Sequence, residues 1–346
     1  MMNTPAPRYY PQSNEQKNAS ERRLKWFQKA QYGMFLHWGL YSLPAGIWRG
    51  RESYTHYTEW LQHHERISAV DWAKLAREFN PVSFDANEWV QTIQDAGMSY
   101  LTLTAKHHEG FAMFHSKASS FNIVDATPFA RDPIEELADA CSTHGIQLCL
   151  YYSQCLDWSH PDAFEEGPRF HPEKQREGYQ PDHDRYVEEK VLPQLTELLT
   201  QYGQIGAIWF DTPFYNEEKL SRSWGKRISD HVRNLNDEVL ISSRVVDTSL
   251  HMRPLNPDLY DFLSLPDLHV HEEAREMFAE SPDSICRSYG YDRRKGTTLM
   301  SADTILERLR MMNRHNGNLL LNLGPTGEGR LPPSAVQRLL EVQKRR

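Results

Sequence analysis

Cysteine is scarce: the 346-residue chain has four, at Cys141, Cys149, Cys155 and Cys286. Their spacing is irregular and none forms a CxxC pair, which excludes a disulfide framework and a structural zinc site. They read as reduced core thiols of a cytoplasmic protein. No run approaches the ~20 apolar residues that a transmembrane helix needs. The opening stretch, MMNTPAPRYYPQSNEQ, lacks the charged-then-apolar order of a signal peptide, so no export is expected. Positive charge is in deficit too. Thirty-nine Lys+Arg against 47 Asp+Glu leave a net charge of −8, which argues against nucleic acid or an anionic membrane as partner. No GxGxxG or GxxxxGK[ST] follows a strand, so a nucleotide-binding fold lacks its signature. Internal repeats, low-complexity segments and linkers are absent.

Aromatic residues and histidine are plentiful instead, with nine Trp, 16 Tyr, 14 Phe and 16 His. Aromatic faces with imidazole donors suit a pocket for a ligand that has both apolar and hydroxyl surfaces. A large barrel also buries many aromatics for packing alone. The length suffices for one α/β barrel or two small domains.

Residues 1–20 are polar and Pro-containing and read as a flexible N-terminal tail, leaving 21–346 as one folded domain. Strand and helix signals then alternate. YGMFLHWG (32–39) is a short apolar run ending at Gly, as is SYLTLTAKHH (99–108) in its first half. QLCLYYS (147–153), AIWFD (207–211), VLISSR (239–244), a weaker DFLSL (261–265) and GNLLLNLGP (317–325) are further strands. Helices are expected from Ser68, from an Asp85/Glu88 N-terminus, from Asp132-Pro133, over Val187–Leu199, from Ser301 and near Pro333. Residues 159–185 are charged, broken by Pro and Gly, and form a long loop. This alternation predicts a parallel sheet with right-handed crossovers, and six to eight units fit a closed (β/α)8-type TIM barrel better than an open sheet.

Several strands end in residues that do not belong in a core. His37 follows MFL; His107, His108 and Glu109 follow LTLTAK; Tyr151, Tyr152 and Ser153 follow QLCL; Asp211 follows AIWF; Arg244 follows LISS. All strand C-termini of a parallel barrel point to one face, so these residues should meet in one pocket. Each alone has a plainer reading: a satisfied core histidine, a helix cap, a structural ion-pair partner. Together they suit glycosidase chemistry. A carboxylate at Asp211, preceded by Trp209 and Phe210, can act as nucleophile or stabilise a cation-like transition state. Arg244 is a cationic partner for it, and a second carboxylic acid would complete a glycosidase pair. Metal is the rival. His107 and His108 are neighbours that point to opposite faces of a regular strand. Where barrel metallohydrolases carry HxH on the first strand, this chain has His37-Trp38-Gly39. No metal and no cofactor are expected.

The segments YGMFLHWGLYSLP, EWLQ, AGMSYLTLTAKHHEGFAMFHSK, RDPIEELADACSTHGIQLCLYYS, AIWFD and GNLLLNLGPTGEGRLP resemble the α-L-fucosidases of glycoside hydrolase family 29. They occur in the family's order and span most of the chain. The resemblance implies a retaining exo-glycosidase on a (β/α)8-like barrel that removes terminal α-L-fucose from fucosylated oligosaccharides or glycoconjugates without metal. It makes Asp211 the nucleophile. It places His37, Glu59, Trp60, His107, His108, Tyr151, Trp209 and Arg244 against the sugar. It leaves the balance of hydrolysis and transfucosylation open.

The acid/base is implied less directly. Many members carry a Glu on the segment after the arginine strand. Here D-L-H-V aligns with E-x-H-V, which puts Asp267 at that position, one methylene shorter; Glu272 and Glu273 are its rivals. Glu280 resembles another family acid near the pocket. Many relatives also carry a C-terminal β-sandwich, for which no residues remain past the final helix. A more open pocket is expected, or one closed by contacts within a homo-oligomer. Two alternatives stand beside the fucosidase: a catalytically impaired fucose-binding barrel and a metal-dependent barrel hydrolase.

Overall fold

The computed structural model describes residues 9–165, 170–213, 218–247, 254–268 and 277–346. Eight strands make one sheet: β1 (Tyr32–Leu36), β2 (Tyr100–Lys106), β3 (Gln147–Ser153), β4 (Ala207–Asp211), β5 (Leu240–Ile241), β6 (Leu263–Ser264), β7 (Ala279–Ser284) and β8 (Gly317–Leu323). Their order is β5-β4-β3-β2-β1-β8-β7-β6, and every pairing is parallel. A parallel bridge between Ser242 and Phe262 joins the two outer strands. Ser243 N donates to Phe262 O at 2.9 Å beside it. The sheet thus closes on itself as a (β/α)8-type barrel.

Longer helices surround it: α1 (Asn14–Ala30), α2 (Ala86–Asp95), α3 (Pro133–His144), α4 (Leu192–Gln201), α5 (Glu218–Leu235), α6 (Ala302–Arg314) and α7 (Pro333–Arg345). Local chemistry fixes their ends. Asp132 accepts from the Ile134 and Glu135 amides and Pro133 opens α3, while Gly145 closes it in the left-handed region at φ 67°. Asp85 accepts from Glu88 N at 3.0 Å to start α2. Among the described residues, the β5–β6 connection carries the short turn Ser243–Val245 in the place of a regular barrel helix.

Two apolar layers follow from the strand period of two. Met34 and Leu36 of β1 pack outward with the helices. Phe35 packs inward with Tyr100, Tyr151, Trp209, Phe262, Phe278 and Leu320 to fill the barrel. Gly33 shares that inward direction, and a Cβ there would sit 2.2 Å from the Tyr100 ring. The glycine is what lets that ring into the barrel.

α1 seals the N-terminal end. The Phe27 ring lies 5.3 Å from Tyr100, 4.9 Å from Phe262 and 5.5 Å from Phe278. Asn318 Nδ2 donates to Phe27 O at 2.8 Å, and Arg23 Nε donates to Asp261 at 2.9 Å. Burying that one ring contributes about 1.5–3 kcal/mol. The tail expectation therefore fails from Asn14 onward. Ser13 and Gln16 form a reciprocal capping box, and Ser20, Arg23, Leu24 and Phe27 are buried. Residues 14–19 look tail-like because they are mostly the solvent face and first turn of a helix. Two more elements differ from the sequence reading. β7, Ala279–Ser284, and α5 lie in stretches where no strand or helix is expected from the sequence.

Candidate active site

The strand ends meet. His37 follows β1, His107 and His108 follow β2, Tyr151 lies in β3, Asp211 ends β4 and Arg244 sits in the turn after β5. The β3–β4 register sets Tyr151 beside Trp209 and Ser153 beside Asp211. A cavity of about 180 Å³ opens among these ends, lined by His37, Glu59, Trp60, His107, Tyr151, Trp209, Asp211, Arg244 and Asp267, with Phe35, Tyr57 and Tyr289. That is the volume of about six waters, suited to one ring-sized ligand.

Asp211 is held from four directions. Arg244 Nη1 donates to Oδ1 at 2.9 Å, as does the Thr212 amide at 2.8 Å. Tyr151 OH donates to Oδ2 at 2.9 Å, and His108 Nε2 lies 3.7 Å from the same oxygen. Gln154 accepts from the Asp211 amide at 3.0 Å. The carboxyl has no freedom to turn from the cavity.

Arg244 is the hub. Its Nη2 donates to Asp267 and to Leu265 O at 2.7 Å, and its guanidinium lies 4.7 Å over the Trp209 ring. One planar fork thus carries both aspartates. Burial pulls Arg244 down in pKa, but Asp267 and Asp211 outweigh it and hold it above its ordinary range, so it stays a cation. Side-chain exposure separates the two acids: 14% for Asp211 and 39% for Asp267. The residue after each aspartate is in the left-handed region, Thr212 at φ 48° and Leu268 at φ 59°. For a threonine or leucine that conformation is uncommon and strained.

The imidazoles are neutral. Burial carries His37 down to about 3, partly offset by Asn322. Burial carries His107 and His108 well below their ordinary value, with neighbouring histidines and Lys106 lowering them further. His37 Nδ1 and Asn322 Oδ1 are 2.7 Å apart, and Asn322 in turn donates to Tyr289 O at 2.7 Å. Among the described residues, His107 Nδ1, His108 Nε2 and Arg244 Nε are buried without a hydrogen-bond partner. Such groups are costly unless a ligand or water meets them. Around them stand aromatic walls. Tyr151 stacks on Trp209 at 5.5 Å and on His107 at 5.4 Å, and Trp60 meets His108 edge-on at 4.8 Å.

Two other carboxyls lie close. Glu59 lines the cavity, accepts from Gly290 N at 2.8 Å and is pushed up to about 7 by burial. Glu280 lies behind the Trp209 wall, accepting from Trp209 Nε1 at 2.8 Å and Tyr100 OH at 2.5 Å. It does not line the cavity. All ten residues expected at the site converge, nine on the cavity and His108 behind Asp211. Glu272 and Glu273 lie outside the described residues. Phe35, Tyr57, Tyr289 and Asn322 were missed. Only Phe35 carries a sequence signal, being two residues before His37 on the same strand face. Among the described residues, no group of three or more His, Cys, Asp or Glu is arranged to hold a metal ion.

The comparisons with known proteins agree with one another. The family model described as alpha-L-fucosidase matches residues 1–344. The tissue alpha-L-fucosidase of Rattus norvegicus is 30% identical over 338 residues, covering 92% of this chain and 67% of that protein. The putative alpha-L-fucosidase of Caenorhabditis elegans is 27% identical over 332 residues, covering 92% of this chain and 64% of that one. This chain spans about two thirds of the length of these relatives. The solved alpha-L-fucosidase AlfC from Lactobacillus casei, in complex with alpha-L-fucose product, superposes with a TM-score of 0.81 at 36% identity, over 93% of this chain and 97% of that one. A variant of AlfC has been solved in complex with Fuca(1,6)GlcNAc.

Proposed function

Because this chain belongs to the alpha-L-fucosidase family, we propose that it is a retaining exo-α-L-fucosidase that hydrolyses terminal α-L-fucose from fucosylated oligosaccharides or glycoconjugates. One observation carries the mechanism: Asp211 and Asp267 stand on a single guanidinium at the wall of a ring-sized cavity. Retention needs two carboxyl groups about 5–5.5 Å apart across the scissile bond, and a shared arginine holds two carboxylates at short range.

Asp211 attacks the anomeric carbon. The bond to the leaving oxygen breaks as Asp267 delivers a proton to that oxygen, and a covalent glycosyl-enzyme forms. Water then attacks the same carbon, Asp267 takes the water's proton, and Asp211 leaves as a carboxylate. An acceptor hydroxyl in place of water gives transfer by the same second step. Before the first step Asp267 must release Arg244, because a carboxylate paired with a cation resists the proton it has to carry. Its greater exposure supports that release. Neutral imidazoles and Glu59 meet the sugar hydroxyls, while Trp60, Trp209 and Phe35 offer apolar surface for a deoxy sugar's methyl group. Such a wall discriminates by about 1–3 kcal/mol per methyl-sized group.

Glu59 supports a second reading of the acid alone. A buried carboxyl brought up to about 7 is protonated near neutral pH, as a general acid needs to be. So few cysteines at irregular spacing, three of the four buried, suit a reducing compartment. We place the protein in the cytoplasm, and activity confined to the membrane-free periplasmic or secreted fraction would remove it from there.

The test uses 4-nitrophenyl α-L-fucoside. Asp211→Ala should lose several orders of magnitude in turnover, and azide should restore it with β-fucosyl azide as product. An Asp211→Ala enzyme with ordinary turnover would end the nucleophile assignment. Alanine variants of Asp267, Glu59, Glu272 and Glu273 are compared on aryl fucosides of differing leaving-group acidity. Loss of the true acid hurts poor leaving groups most, so a uniform loss in Asp267→Ala would transfer the role elsewhere.

A further inference from the structure

A second, larger cavity of about 510 Å³ lies on the same rim, where the end of β7 and the loop after it meet the start of α6. It adjoins the sugar-sized cavity, with lining residues shared or consecutive at two points. Tyr57 lines both. Asp267 lines the first and the next residue, Leu268, lines the second. The left-handed turn at Leu268, φ 59°, sends these consecutive side chains into different cavities. Leu268 N donates to Pro282 O at 3.1 Å, which ties the turn to β7. The second cavity's wall is built from Leu268, Ile285, Leu299, Met300 and the Tyr57 ring. Arg308 donates to Asp283, and although His56 and Arg287 also line it, the wall presents more apolar than polar surface.

The reasoning rests on the fucosidase reading above. If Asp267 protonates the leaving oxygen, the aglycone departs on the side of Asp267. On that side the next residue, Leu268, lines the apolar cavity. We propose that this cavity is the aglycone subsite and that it takes an alkyl or aryl group, selecting fucosides whose leaving group carries apolar surface. A polar aglycone gains less there, because most of the wall it would meet is apolar.

Methyl and hexyl α-L-fucosides test this, together with an ethylene-glycol ether fucoside of hexyl length. All three release primary alcohols or methanol, so leaving-group chemistry changes little while apolar extent changes. The hexyl compound is expected to exceed the methyl compound in kcat/KM by about tenfold or more, since burial of two methylenes alone supplies that factor. The ether should stay near the methyl compound. In Met300→Glu and Leu299→Glu the hexyl-to-methyl ratio should fall toward one. The Met300 backbone remains pinned, with its amide donating to Ile285 O at 2.7 Å, and turnover of methyl fucoside reports that each variant is folded. Equal kcat/KM for methyl and hexyl in the unaltered protein would overturn the subsite. So would an ether as good as hexyl, or a preference that survives both variants. Absence of turnover on all three and on 4-nitrophenyl fucoside would instead remove the fucosidase reading and the subsite with it.

Discussion

The carboxyl of Glu280 should make the fold less stable as pH rises, and Glu280→Gln should remove that effect. Glu280 is 1% exposed. Burial pushes its carboxyl from the ordinary 4.5 up to about 7, against the lowering pull of the Tyr100 and Trp209 donors. The unfolded chain therefore releases this proton near pH 4.5, while the folded chain keeps it to about pH 7. Stability is fully present below pH 4.5, falls as pH rises through that window and levels off above about 7. A gap of about 2.5 pH units, at ~1.4 kcal/mol each, amounts to about 3 kcal/mol. Glutamine has the same shape and no proton to lose. Its oxygen can accept from Trp209 and its amide can donate to the Tyr100 oxygen. Whatever fixed offset the substitution brings, the pH-dependent part is diagnostic. Urea unfolding of both proteins from pH 4.5 to 8 should show the variant gaining about 3 kcal/mol on the parent across that range. Glu59 and Glu109 are also pushed up by burial, but they are common to both proteins and cancel in the difference. A difference that stays flat with pH, or that grows in the parent's favour, refutes the reasoning.

Tyr151→Phe deletes one donor to Asp211 and leaves the ring stack on Trp209. Turnover of aryl fucoside should fall about ten- to a hundredfold, the worth of one hydrogen bond to a charged group, and an unchanged kcat would separate Tyr151 from the nucleophile's positioning. Asn322→Leu frees His37 from its 2.7 Å contact. KM should rise about three- to tenfold with a smaller change in kcat, and an unchanged KM would remove His37 orientation from substrate binding. Arg244→Lys keeps a cation but loses the fork. Turnover should drop about a hundredfold, and the alkaline limb of kcat/KM should move upward if Asp267 is the acid, because a single ammonium cannot serve both carboxylates as the fork does, and a carboxyl less well paired keeps its proton longer. A limb that does not move points to Glu59. Gly33→Ala places a Cβ 2.2 Å from the Tyr100 ring and should cost at least 1–3 kcal/mol, read as a lowered Tm; retention of Tm would mean that the ring has room to shift.

The barrel is legible in the sequence wherever strands are apolar. QLCLYYS and AIWFD match β3 and β4 to the residue, because a parallel strand packed on both faces reads as a continuous apolar run. β7 reads AESPDS and is equally buried, yet its partners are polar. Glu280 meets Trp209 and Tyr100, Asp283 meets Arg308, and Ser284 Oγ donates to Ser288 O. Hydrogen bonds replace apolar burial along that strand, and a hydrophobicity pattern cannot report it. α5 is a different case. Trp224, Ile228 and Val232 are buried at four-residue spacing, so its amphipathic signal is present in the sequence. The polar α1 was missed because the tail-like stretch shows its solvent face first.

The candidate site was legible to the extent that topology alone brings residues together. One rim collects every strand end, so His37, His107, Tyr151, Asp211 and Arg244 follow from strand positions. Tyr57 and Tyr289 follow from nothing local. Their two loops are fastened to each other by Thr58 N donating to Ser288 Oγ at 3.1 Å and Gly290 N to Glu59 at 2.8 Å, across more than 200 residues of chain. Asp267, the proposed acid, is the hardest to read for the same reason. Asp267 lies beyond a two-residue strand and has no periodic neighbour to place it. What places it is Arg244, 23 residues earlier, which reaches Asp211 33 residues before itself. The guanidinium's rigid fork meets both carboxylates at once, so what brings Asp267 to the cavity is one side chain's geometry rather than any spacing along the chain.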